Sequence, residues 1–430
     1  MIDAPAPGAA LGAWLDYLER FDPNRIELGL ERVRAVLRSL DLFEPPYRVF
    51  TIGGTNGKGS VATYLAALLH VSGHGPVGVY TSPHLSDYRE RITLDGEWVD
   101  EPTLVSAFET VESARGEVPL TYFEFGTVVA LEVFRRRHMR EVVLEVGLGG
   151  RLDAVNAIDP DAAAVVSVDL DHQKWLGNDR DSIGREKAGI FRAGMAAVIG
   201  DRAPPRGLLD EAGSLGAKPL LIGRDFDAEP LAAGTWRYRG ENVTLQPLPE
   251  PGIRGACQRD NAAVALALLE TVEPAALSEP EKIGEALHGA HLGGRLECRL
   301  GSDGVEWVLD VAHNPAAARV LACWLDDAAR RRTHAVLGML SDKDAATIAG
   351  ILAPHIDDWH LAGLGGVRGQ SAEELAARIA DEVSAPVLWD NIGKAVAGVA
   401  QTSRPGERIV IVGSFHTLAE ALATGLIPEE

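Results

Sequence analysis

The strongest chemical signal in the chain is the run Gly53-Gly54-Thr55-Asn56-Gly57-Lys58-Gly59-Ser60. Glycines let backbone N–H groups approach phosphate oxygens, a helix beginning there adds positive potential, and Lys58 supplies a mobile charge. The run lies between an apolar strand-like segment at 47–52 and a helix-like one at 61–69, the order a phosphate-binding loop needs. It is a variant, because Gly59 separates Lys58 from Ser60 where the usual loop has lysine next to the hydroxyl. A ligand-free strand-to-helix turn is the plainer alternative. The joint presence of strand, glycines, lysine, hydroxyl and helix favours phosphate.

A bound nucleoside triphosphate calls for magnesium, a hard cation that takes oxygen ligands and retains waters. Glu145 is a lone carboxylate in Val142-Val143-Leu144-Glu145-Val146, at the C-terminal end of an apolar strand, where open α/β sheets collect ligands. A structural hydrogen bonder is the competing reading, since buried acids must be paired or bind metal. Ser82 in Thr81-Ser82-Pro83-His84-Leu85 and His172 in Asp169-Leu170-Asp171-His172 also stand just past strand ends. Each alone reads as an ordinary loop residue. Lys187, from its surroundings alone, reads as a lysine at a helix start engaged in a surface salt bridge.

Positioning these groups requires alternating strands and helices. Strand-like runs at 47–52, 77–81, 141–146, 162–168 and 195–199 predict a largely parallel sheet in an α/β architecture. A Gly/Pro-rich stretch at 223–255 predicts short antiparallel strands on the edge, and 261–270 reads as helix. A second α/β series follows, with strands at 305–311, 334–339, 359–362, 386–389 and 408–412. The expected boundary is the glycine-rich stretch 289–295, giving domains 1–293 and 294–430.

The chain has 430 residues, 46% hydrophobic and 24% charged, the balance of a folded protein rather than a disordered one. Its formal charge of -21 repels nucleic acid and anionic lipid, so neither is an expected partner. Cys257, Cys298 and Cys323 are odd in number and widely spaced, against a disulfide framework or zinc ribbon. No signal-peptide pattern opens the chain and no apolar run reaches membrane-span length, so a cytoplasmic location is expected.

Seven ordered motifs resemble the folylpolyglutamate synthase family in its bacterial dihydrofolate synthase/folylpolyglutamate synthase form: 54–60, Tyr80-Thr81-Ser82-Pro83-His84-Leu85, 122–127, 145–154, Arg185-Glu186-Lys187-Ala188-Gly189-Ile190-Phe191, Asp310-Val311-Ala312-His313-Asn314-Pro315 and Gly413-Ser414-Phe415-His416-Thr417. The resemblance runs from Trp14 to His416. It implies Mur-type amide-ligase architecture, with an N-terminal P-loop ATPase domain, a C-terminal Rossmann-like domain and catalysis in the cleft between them. It further implies that Gly57, Lys58, Gly59 and Ser60 cradle ATP, with Asn261, Arg295 and Asp310 as further ATP residues. Ser82, Glu145 and His172 would hold magnesium, and Lys58, His172 and Lys187 would serve catalysis, Lys187 as an N6-carboxylated lysine. Thr121, Tyr122, Phe123, Glu124, Leu152, Asp153 and Ala154 would bind the pterin.

An aromatic ring can stack on a flat heterocycle, and a carboxylate can pair with its amino and ring N–H groups. Without the resemblance, Tyr122 and Phe123 read as core aromatics. The Thr-Tyr-Phe-Glu-Phe-Gly-Thr form leans toward dihydropteroate as well as tetrahydrofolate as acceptor of L-glutamate. The expected enzyme is a monomer. Two departures stand out: Gly293-Gly294-Arg295-Leu296 replaces a common Pro-Gly-Arg-Phe, and Gln173-Lys174 follows His172 where Thr and an acid are common. His313 and Ser414 are candidate glutamate contacts or strand-end structural residues.

The implied chemistry is activation of a carboxylate as an acyl phosphate, followed by attack of the glutamate amine. The alternatives are a monofunctional folylpolyglutamate synthase, a Mur-type ligase of nucleotide-linked peptides, or a non-catalytic nucleotide switch. The roughly 50 residues before the phosphate loop are too few for the dedicated nucleotide-sugar domain of the Mur reading.

Overall fold

The computed structural model describes residues 4–21, 27–232 and 234–429. The chain forms two compact units, each built on its own sheet.

The first unit comprises Met1–His84, Tyr88–Gly252 and Arg259–Ala290. Its main sheet has strands β1 (Arg48–Gly53), β2 (Val77–Tyr80), β3 (Ile92–Leu94), β4 (Glu97–Trp98), β5 (Glu141–Glu145), β6 (Ala162–Val165), β7 (Ala196–Ile199) and β8 (Lys218–Leu221). Their order is β4-β3-β2-β5-β1-β6-β7-β8, parallel from β2 to β8. The central strands are mostly apolar, their charged residues falling at the strand ends, as suits a parallel sheet covered on both faces. The helix Tyr122–Arg136 buries Phe125, Val128, Val129 and Phe134 at full depth in the core.

The stretch expected as edge strands instead makes a sheet of its own: β9 (Asp227–Pro230), β10 (Thr235–Arg239) and β11 (Thr244–Pro249). A buried carboxylate explains its placement. Glu270, on the helix Gln258–Val272, accepts from the Tyr238 hydroxyl at 2.6 Å and from the backbone N–H groups of Asn242 (2.6 Å) and Val243 (3.1 Å). The small sheet is thereby tied to a helix rather than to β8.

The second unit comprises Leu85–Asp87, Ile253–Gln258 and His291–Glu430. Its strands are β12 (Glu297–Leu300), β13 (Glu306–Asp310), β14 (Thr333–Leu337), β15 (Asp358–Ala362), β16 (Val387–Trp389) and β17 (Arg408–Val412), in the order β12-β13-β17-β14-β15-β16. All but β12 are parallel. Helices after β13, β14 and β15 share one core, with Leu321, Ile348 and Leu375. Helices before and after β17 share the opposite one, with Val396 and Leu418. The loops leaving β17 and its two neighbours therefore part to opposite faces, a topology that opens a crevice at the strand ends. Among the described residues no helix is long and apolar enough to cross a membrane.

Candidate active site

Four adjacent parallel strands of the first unit end in the residues singled out above. Register pairs Tyr80 with Leu144, Ile52 with Glu145 and Gly53 with Val165. Ser82, Glu145, the glycine-rich loop and the segment leading to His172 thus leave the same sheet edge. Ile52 and Glu145, far apart in sequence, become neighbours because parallel strands align their C-terminal ends.

The helix after the loop begins at Lys58, three residues before the expected start at 61, with Gly57 as its N-cap at φ 86°. Only glycine suits that position twice over. The left-handed backbone disfavours a side chain, and a Cβ would lie 2.8 Å from both Asn261 Oδ1 and Val166 Cγ1. Asn261, the residue expected at ATP from the second half of this unit, therefore packs on the loop. The loop is strapped down by Thr55 N–H to the Ser167 carbonyl (2.8 Å), Asn56 N–H to Ser167 Oγ (3.0 Å) and Asp169 N–H to Thr55 Oγ1 (3.0 Å). Lys58 Nζ rests on the carbonyls of Gly54 (3.1 Å) and Thr55 (3.2 Å), and Ser60 is buried. Holding the loop in advance of its ligand saves ordering entropy at binding.

Glu145 is only 6% exposed, and its Oε2 accepts the Ser82 backbone N–H at 3.0 Å. His172 adopts φ 51°, the left-handed region that histidine tolerates better than most residues. Its backbone N–H donates to Asp171 Oδ1 at 2.8 Å. A serine hydroxyl, one carboxylate and one imidazole would make a sparse donor set. That fits magnesium, which takes one or two protein carboxylates and completes its shell with water and substrate phosphate. Among the described residues no cluster of three His, Cys, Asp or Glu forms an all-protein metal cage.

Lys187 departs from its sequence reading. The helix Arg180–Ala188 opens on the Asp179 cap, so Lys187 falls in its last turn rather than at its start. It is also buried, at 4% exposure, rather than salt-bridged at the surface. Burial, with the repulsion of Lys58 next, lowers its pKa to about 7, against the opposing pull of Asp171 and Asp153.

The glycines of Gly147-Leu148-Gly149-Gly150-Arg151-Leu152-Asp153 make the crossing at Lys187 possible. A Cβ on Gly150 would stand 2.8 Å from the carbonyl oxygens of both Glu186 and Lys187. Arg151 N–H donates to the Glu186 carbonyl at 2.8 Å, and Asn156 Nδ2 bridges the carbonyls of Arg151 (2.9 Å) and Gly189 (3.0 Å). Asp153 closes the same turn, accepting the N–H groups of Leu148 (2.8 Å) and Val155 (3.1 Å). Burial raises its carboxyl to about 7, although those N–H donors and Lys58 work the other way.

Among the expected pterin residues, Thr121 caps the helix Tyr122–Arg136 in a reciprocal box with Glu124. Glu124 is buried and also takes Arg32, at 2.9 Å from Nη2. Phe123 packs against Gly147, where a Cβ would come within 2.6 Å of the ring. Tyr122 meets the Tyr88 ring edge-on at 6.2 Å. Leu152 is 38% exposed, whereas Asp153 and Ala154 are buried. Arg32 and Arg91 are the residues sequence reasoning missed. Arg32 sits in the run Glu31-Arg32-Val33 and shows its partner only in three dimensions, and Arg91 is hidden in the ordinary charged run Arg89-Glu90-Arg91.

In the second unit, Asp310 ends β13 and is buried, which raises its pKa against the pull of Arg295. Its two oxygens accept the N–H groups of Leu296 (2.9 Å) and Ala312 (2.8 Å), tying together the loops that carry Arg295 and His313. Arg295 lies over the Phe415 ring at 5.1 Å. Ser414 caps the last helix, its Oγ 2.8 Å from Thr417 Oγ1, a structural role of the kind weighed for it above.

Residues 294–415 match the family model described as Mur ligase, glutamate ligase domain. The dihydrofolate synthase/folylpolyglutamate synthase of Escherichia coli is 39% identical over 97% of this chain and 96% of its own length. The solved structure of E. coli FolC in complex with DHPP and ADP superposes with a TM-score of 0.89 at 39% identity, covering 97% of this chain and 98% of that one. The Yersinia pestis bifunctional folylpolyglutamate synthase/dihydrofolate synthase, complexed with AMPPNP and Mn ion, gives a TM-score of 0.89 at 41% identity, covering 98% and 99%.

Proposed function

The chain belongs to the dihydrofolate synthase/folylpolyglutamate synthase family, and from that premise we propose that it uses ATP to join L-glutamate to dihydropteroate and to tetrahydrofolate. The observation that carries this reading is the shared sheet edge, where the strapped phosphate loop, the Ser82–Glu145 pair and the His172 segment meet.

A carboxylate is a poor electrophile until it acquires a leaving group. Lys58 and the N–H groups of Gly57, Gly59 and Ser60 hold the ATP phosphates, so that the acceptor carboxylate attacks the γ-phosphoryl group in line. An acyl phosphate and ADP result. The glutamate α-amine then attacks the acyl carbon, phosphate departs, and the amine proton is released. Ser82, Glu145 and His172 would hold magnesium, which when bound offsets the charge of the β- and γ-phosphates. Asn261 lies against the loop; Arg295 and Asp310, on the second unit, complete the ATP set in this proposal. The two domains act as ATPase (1–293) and glutamate-ligase partner (294–430) of one monomeric enzyme.

Lys187 serves as a carbamate. A buried amine whose pKa is lowered to about 7 is neutral in a large fraction of molecules near neutrality. The neutral amine adds to carbon dioxide, the new N–C bond forms and one proton leaves. The product replaces a cation that repels Lys58 with an anion that attracts it. Phe123, Leu152 and Ala154 supply apolar surface for the pterin, with Tyr122 beside them, while Thr121, Glu124 and Asp153 fix the backbone on which those residues stand.

The test is a product assay with purified protein. ADP and phosphate should appear only when ATP, magnesium, glutamate and either dihydropteroate or tetrahydrofolate are all present. ATP hydrolysis that ignores the acceptor would defeat the reading.

A further inference from the structure

Arg91 is 8% exposed. Its guanidinium carbon lies 5.5 Å from the ring centroids of both Tyr88 and Tyr122, and its Nε donates to His84 Nδ1 at 2.8 Å. Among the described residues no carboxylate pairs with it, and Nη1 and Nη2 donate to no acceptor. Arg408 offers the contrast. It too is buried, at 3% exposure, and lies over an aromatic ring, that of Trp324, but it is paired with Glu306 at 2.6 Å. A buried cation without a counter-charge is costly unless a ligand supplies one.

The surroundings indicate which ligand. The Arg91 carbonyl accepts Thr81 N–H at 3.0 Å, so its backbone is joined to the segment that continues into Ser82. Its side chain stacks on Tyr122, in the aromatic motif assigned to the acceptor. Arg91 is thus tied on one side to Thr81, the neighbour in sequence of the Ser82 that bonds Glu145, and on the other to the acceptor motif.

We propose that Arg91 binds a non-reacting carboxylate of a glutamylated acceptor, an inference that rests on the function proposed above. Dihydropteroate carries one carboxylate, which must be activated. An acceptor ending in glutamate carries two, one activated and one idle. A guanidinium on the reacting group would withdraw its nucleophilic charge, whereas the same fork on the idle group gives bidentate recognition at no cost to reactivity. Arg91 therefore separates the two activities by acceptor class.

The experiment compares wild type, Arg91→Gln and Arg91→Lys with dihydropteroate and with tetrahydrofolate, by steady-state kinetics and by equilibrium binding, with thermal unfolding as a fold check. Loss of a charge-assisted hydrogen bond predicts a rise of roughly tenfold to a hundredfold in KM and Kd for tetrahydrofolate in Arg91→Gln. Its kcat and both constants for dihydropteroate should stay near wild type, and Arg91→Lys should recover part of the loss. Equal losses with both acceptors, or an unchanged tetrahydrofolate constant, overturn the proposal. If Arg91→Gln does not fold, the tetrahydrofolate-to-dihydropteroate ratio of Arg91→Lys decides: raised supports it, unchanged overturns it. Wild type inactive with both acceptors defeats the proposed function instead, and the binding comparison still decides the role of Arg91.

Discussion

The backbone N–H of Ser82 donates to Oε2 of Glu145 across 3.0 Å, joining the end of β2 to the end of β5. The bond fixes the carboxylate while holding the Ser82 segment beside it, so two of the three proposed magnesium ligands are positioned before any metal arrives. Glu145→Gln keeps an oxygen that can accept this N–H but removes the negative charge. The expected result is an unchanged fold with kcat/KM reduced by about a hundredfold or more. Circular dichroism and the ADP-release assay, run over a magnesium titration, check it; full activity at ordinary magnesium would remove Glu145 from the metal set.

Gly150 is required by close packing against the backbone of the helix Arg180–Ala188. Gly150→Ala would push a methyl against the Glu186 and Lys187 carbonyls, neither of which is a flexible side-chain end. Overpacking of this kind costs about 1–3 kcal/mol. Urea unfolding should show the loss, and because the displaced backbone carries Lys187, activity should fall more than stability does.

Carbamate formation at Lys187 predicts a dependence on carbon dioxide. Protein prepared with 13C-bicarbonate should give a carbonyl resonance that disappears in Lys187→Ala, with turnover reduced by roughly two orders of magnitude. The neutral amine gains population as pH rises through about 7, so the resonance should strengthen from pH 6 to pH 8. Its absence from wild type at pH 8 would refute the modification.

The second unit contains its own pH-sensitive contact. His360 Nδ1 accepts from Trp389 Nε1 at 3.2 Å, and burial, with repulsion from His334 next, lowers its pKa to about 4. The folded state therefore binds this proton less readily than the unfolded chain, where histidine titrates near 6.5. The contribution to stability is complete above pH 6.5 and is lost as pH falls from there toward 4, by about 1–2 kcal/mol once partial solvent screening is allowed for. Urea midpoints at pH 7.5 and pH 5 measure the drop, which His360→Gln should reduce.

Much of this was legible in the residues themselves. The phosphate loop announced itself because its glycines, lysine and following helix are contiguous. The strands followed from runs rich in Val and Ile, and Glu145 stood out as the lone acid of Val142–Val146. The small sheet β9-β10-β11 was read as an edge because its attachment, Glu270, comes after it in sequence and looks like any helix-face acid. The excursions of Leu85–Asp87 and Ile253–Gln258 into the second unit carry no mark in composition.

Fold class, phosphate chemistry and, through ordered motifs, the family could all be read from the residues in order. These depend on local pattern and on residues close together in the chain. It took the folded chain to show that Lys187 is a buried amine at a helix end, that Glu124 is held by Arg32, and that Arg91 is buried with no carboxylate paired to it among the described residues. Burial and counter-charge are properties of what surrounds a side chain in space. For a lysine or arginine on a charged stretch of sequence, those surroundings exist only once distant strands have aligned.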